Sequence, residues 1–73
     1  MSDYRYFKVD GRHYFHYLFR CSTHIKNLVE RYEIDETRWR RTECRTVEDI
    51  YYIYSADWTV TEITQNELML EIL

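Results

Sequence analysis

Polar and apolar side chains alternate loosely over residues 4–9, Tyr-Arg-Tyr-Phe-Lys-Val, and the run 12–19, Arg-His-Tyr-Phe-His-Tyr-Leu-Phe, is dense in aromatic side chains. Both runs read as strands. Between them stands Asp10-Gly11, a dipeptide suited to the two positive φ angles of a type I′ hairpin turn. A two-residue turn pairs Val9 with Arg12, Phe7 with Tyr14 and Arg5 with His16, and sets Lys8, Tyr6 and Tyr4 opposite His13, Phe15 and Tyr17 on the other face. One face then holds Phe7, Val9, Tyr14 and Leu18, the other Tyr4, Tyr6, Phe15, Tyr17 and Phe19. Each is apolar enough to require at least partial cover.

Further along, Ser22 is placed to cap a helix, and Ile25, Leu28, Val29 and Tyr32 recur at helical spacing, so an amphipathic helix is predicted from Ser22 to about residue 34. Residues 38–45 alternate around Trp39 with charges on both sides, the pattern of an edge strand. The stretch 46–55 carries two signals. Thr46 and Asp49 resemble a helix start, and Val47, Ile50, Tyr51 and Tyr54 have helical spacing, yet Ile50-Tyr-Tyr-Ile-Tyr54 has high strand propensity. Strand over 49–55 is the favoured reading. Ser55-Ala56-Asp57 turns the chain into another strand from Trp58 to Ile63. Thr64 and Glu67 then form a capping box, Ile63 is placed to staple onto Leu68, and a helix runs from residue 65 to the end. The expected fold is a single α+β domain, ββαβββα: an N-terminal β-hairpin, an amphipathic helix, further antiparallel strands and a short C-terminal helix.

Composition narrows the class. A chain of 73 residues supports one core only. Its 8 Tyr, 3 Phe and 2 Trp argue for order, and tyrosine suits half-wet sheet faces and interfaces. No run approaches the roughly 18 apolar residues of a membrane span, and Met1-Ser2-Asp3 does not open a secretory signal, so a cytoplasmic protein is expected. Charge is uneven. All 10 Lys and Arg residues precede position 46, whereas residues 46–73 carry acids and no base. Such asymmetry is satisfied within one fold, across a dimer, or by a partner.

Candidate chemistry is sparse. His13, His16, Cys21, His24 and Cys44 are the metal-capable residues, but no paired spacing brackets a loop, and neither metal nor other cofactor is expected. Cys21 beside His24 at the expected helix start is the one arrangement resembling an activated nucleophile. It lacks an orienting acid, so an enzyme is not expected. Arg38, Arg40, Arg41 and Arg45 around Trp39 combine phosphate-binding cations with a stacking ring, which makes RNA or single-stranded DNA the alternative ligand. Against it stands a net charge of -3, which removes long-range attraction. The favoured function is a non-enzymatic protein-binding or regulatory module that self-associates as a homodimer. Tyr6, Phe15 and Tyr17 would contribute from the sheet, and Leu68, Met69 and Ile72 from the narrowly polar terminal helix.

Overall fold

The computed structural model describes residues 3–11 and 16–73. Strands β1 (Tyr4–Asp10), β2 (His16–Ser22), β3 (Val29–Glu33) and β4 (Arg38–Arg41) precede helix α1 (Val47–Tyr54), strand β5 (Thr59–Ile63) and helix α2 (Gln65–Ile72). The five strands form one antiparallel sheet in the order β4-β3-β2-β1-β5. The fold is α+β, as expected, but the first helix lies later in the chain than the expected order placed it.

The hairpin register differs from that of an Asp-Gly turn. Among the described residues Val9 stands opposite Tyr17 and Asp10 opposite His16. Because the displacement from the expected pairing is an odd number of residues, every β2 side chain changes face relative to β1. Phe7 and Val9 now share a face with Tyr17, Phe19 and Cys21, while Tyr4 and Tyr6 share the other with Leu18 and Arg20. The expected pairings of residues 12–15, and Phe15 itself, lie outside the described residues.

Two further expectations are corrected. The Ser22 hydroxyl does accept from the amides of His24 and Ile25, at 3.2 and 2.8 Å, as a helix cap would. No helix follows. Asn27 adopts a left-handed φ of 60°, and the chain returns as β3 with Val29 opposite Cys21. As β3 the segment divides the expected stripe between the two faces: Val29 is buried at 1% exposure in the larger core, and Tyr32 packs against the smaller one. Conversely, residues 47–54 form a helix rather than the expected strand. Thr46 and Asp49 make a reciprocal capping box, and Ile50, fully buried, reaches the sheet beside Val47 and Tyr54.

Each helix covers one face. Against α1 lie Phe7, Val9, Phe19, Cys21 and Val29, with Cys44 from the connecting segment. On the opposite face a smaller core joins Leu18, Ile63 and Leu68. The Thr64–Glu67 capping box and the Ile63–Leu68 contact occur as the sequence indicated. No helix among the described residues is long and apolar enough to cross a membrane.

Candidate interaction surface

Strand alternation sets the residues of the α2-bearing face. Tyr4, Tyr6 and Lys8 of β1 stand beside Leu18 and Arg20 of β2, then Glu30 and Tyr32 of β3, then Trp39 and Arg41 of β4. Leu68 covers the middle of this face, and Tyr6, Tyr32, Trp39 and Ile72 pack around its cluster. Beyond that cover, the Arg20 guanidinium lies between two rings, 4.2 Å from the Tyr4 centroid and 4.6 Å from that of Trp39. Its Nε donates to Glu30 at 2.8 Å. Trp39 also meets Tyr32 edge-on at 5.2 Å. A planar cation held by two ring faces and a carboxylate has little rotamer freedom left to lose on binding. Its charge is neutralised in place, which leaves a stacked platform of the residue types that anchor protein interfaces.

The expected interface residues are divided by the fold. Tyr6 lies on the α2 side, whereas Tyr17 lies on the α1 side, stacked on Trp58 with centroids 5.4 Å apart. Leu68 is a core residue at 4% exposure, and Ile72 packs against the same cluster. Met69 is half exposed, and the most exposed apolar side chains of this segment are Leu70 at 75% and Leu73 at 92%, neither of which the sequence reading selected. Helical spacing contains the signal for them. With Leu68 and Ile72 facing the sheet at i and i+4, residues 69, 70 and 73 fall on the remaining circumference. Glu71 marks the opposite flank, bound by Lys8 Nζ at 2.6 Å.

The arginine run is likewise divided. Trp39 and Arg41 point to the α2 side, while Arg38 and Arg40 share the α1 side with Arg31. Arg45 is exposed in the segment before α1. Glu36 accepts from Arg38 at 2.8 Å and lies 3.6 Å from Arg40. Its carboxyl is held below the ordinary glutamate value by the Arg38 hydrogen bond. Arg31 is bound to Glu33 and Arg5 to Glu62. A groove of about 770 Å³ opens between this side of β3–β4 and α1, with Phe19, Cys44, Ile53 and Tyr54 as apolar lining and Arg31 and Arg40 among the cations.

Burial pushes the Cys21 thiol up to about 11 and raises that of Cys44. Without a helix at Ser22 there is no dipole to favour thiolate there, and His24 turns outward to Asp3 at 2.9 Å. Among the described residues no three metal-ligating side chains converge. No protein-family model, curated protein sequence or solved structure matches the chain. The described surface therefore offers a neutralised aromatic–arginine platform and exposed apolar helix flanks.

Proposed function

We propose that the chain is a non-enzymatic protein-binding or regulatory module that acts as a homodimer. The observation that carries this reading is the exposed group of Met69 and Leu70 on α2 and Leu73 at its C-cap, on the same side of the sheet as the Tyr4–Arg20–Trp39 stack. Apolar side chains exposed together on one short helix are a feature of surfaces that a partner covers. On the other side, α1 exposes Tyr51, Tyr52 and Ile53, so both helices have apolar flanks available to an interface. Two-fold association is the commonest closed arrangement for such a surface.

Within the arginine run, Arg38 is paired with Glu36 and Arg40 lies 3.6 Å from the same carboxylate, which supports this reading over RNA or single-stranded DNA, since phosphate binding depends on uncommitted cations. Two free, buried thiols are compatible with the reducing cytoplasm. Sedimentation velocity across the micromolar range tests the proposal. A dimer that weakens on Leu70→Glu, with unchanged circular dichroism, supports it. A monomer throughout refutes self-association.

A further inference from the structure

The sheet has two outer strands, β4 and β5, and they differ in what they present to another strand. Edge strands carry unpaired N–H and C=O groups, and charged side chains on an edge discourage pairing. Strand β4 is guarded in this way. One carboxylate, Glu36, serves both Arg38 and Arg40, so Arg38, Arg40 and Arg41 still place net positive charge, arginine opposite arginine, in an antiparallel self-pairing centred on either Trp39 or Arg40. Like charges directly opposed on one face destabilise a ladder.

Strand β5, Thr-Val-Thr-Glu-Ile, has no base and no proline, and its side chains favour strand. Its single charge, Glu62, is already bound to Arg5 of β1 at 2.8 Å. Thr59, Thr61 and Glu62 are exposed. Near this edge, Tyr51 of α1 meets Phe7 of β1 at a centroid distance of 6.5 Å while remaining 42% exposed. Helix α2 begins two residues after β5 ends. Both helical layers therefore approach the β5 side of the sheet.

Resting on the self-association reading, we propose that β5 pairs antiparallel with β5 of a second copy across a two-fold axis normal to the sheet, joining the two sheets into one. An axis normal to the sheet keeps α1 beside α1 and α2 beside α2, so directly opposed residues must share a face. Centring on Thr61 meets that condition. Thr61 then faces its own copy, Val60 faces Glu62, and Thr59 faces Ile63. No charge opposes a like charge, and each Glu62 keeps its Arg5.

Thr61→Cys in the otherwise native chain tests the geometry under mild oxidation. Opposed residues in an antiparallel pair have Cα atoms about 4.5–5.5 Å apart, within disulfide range, and the native thiols are buried. The expected result is a covalent dimer with Thr61→Cys and none with Arg40→Cys at the other edge. Thr61→Lys, at an exposed position, should keep the circular dichroism of the parent and weaken dimerisation about tenfold or more. A native chain that sediments as a monomer overturns self-association and this inference together. A native dimer that neither cross-links through Thr61→Cys nor weakens with Thr61→Lys overturns the β5 seam alone. A ladder of growing species overturns the two-fold arrangement in favour of head-to-tail assembly.

Discussion

The indole of Trp58 occupies the space that a side chain on Gly11 would need. A β-carbon at Gly11 would sit well inside van der Waals contact with the six-membered part of the ring, and that ring is itself stacked on Tyr17. Gly11 has no positive φ, so close approach of a neighbour, rather than turn conformation, accounts for glycine here. Gly11→Ala should destabilise the fold by about 1–3 kcal/mol through overpacking, measured by urea denaturation. In a Trp58→Leu background the same change should cost less; an unchanged cost would assign the requirement to the backbone.

Arg20 is held by Tyr4, Trp39 and Glu30 together, so losing the guanidinium costs more than losing an isolated surface ion pair. Arg20→Leu should lower stability by about 1–2 kcal/mol, combining two ring contacts with a partly buried carboxylate left without its donor. Arg20→Lys should recover only part, because an ammonium cannot lie flat between two rings while keeping the Glu30 bond. Full recovery by lysine in chemical denaturation would show that charge alone matters.

Acid stability should depend on Glu71 and Glu62. Their carboxyls are held below the ordinary glutamate value by hydrogen bonds from Lys8 and Arg5 respectively. A carboxyl whose folded pKa is lowered contributes stability that is present above its unfolded value of about 4.3 and lost as pH falls through the folded value. Stability of the native chain should therefore decline on acidification below that value. Glu71→Gln should be less stable at neutral pH and show a shallower acid decline; parallel pH–stability curves would remove this pair from the account.

The N-cap of α1 offers a local test. Thr46 accepts from the Asp49 amide at 3.4 Å, and Asp49 Oδ2 accepts from the Arg45 and Thr46 amides. Thr46→Ala should cost about 1 kcal/mol and leave the sheet intact. Because α1 forms on the larger core cluster, thermal melts should show one cooperative transition at lower temperature. A separate early loss of helix signal would show that α1 is not coupled to that core.

Signals confined to a few adjacent residues were legible without the fold. The Thr64–Glu67 box and the Ile63 staple marked α2, the alternation of residues 4–9 marked most of β1, and the charged run from Arg38 marked an edge strand; all three occur in the structure. The same sequence, by itself, was sufficient for the α+β class, whereas its count of five strands and two helices agrees only because the expected helix after Ser22 is β3 and the expected strand over 49–55 is α1. Tertiary structure decided where competing local signals resolved. Ser22 offers cap hydrogen bonds worth about 1 kcal/mol and makes them, but Asn27 turns the chain back and the segment pairs with β2 as β3, placing Val29 in one core and Tyr32 against the other. The Tyr-rich run after Thr46 becomes helix because Ile50 can then enter the core formed by Phe7, Val9 and Phe19. Hairpin register decided the interaction surface most of all. Asp10-Gly11 carries no information about β5 or the helices that cover the two faces, and one odd shift in pairing separates Tyr6 from Tyr17 and gathers Tyr4, Arg20 and Trp39 on one side. That choice is made by burial summed over partners distant in sequence, a quantity absent from any local stretch of residues.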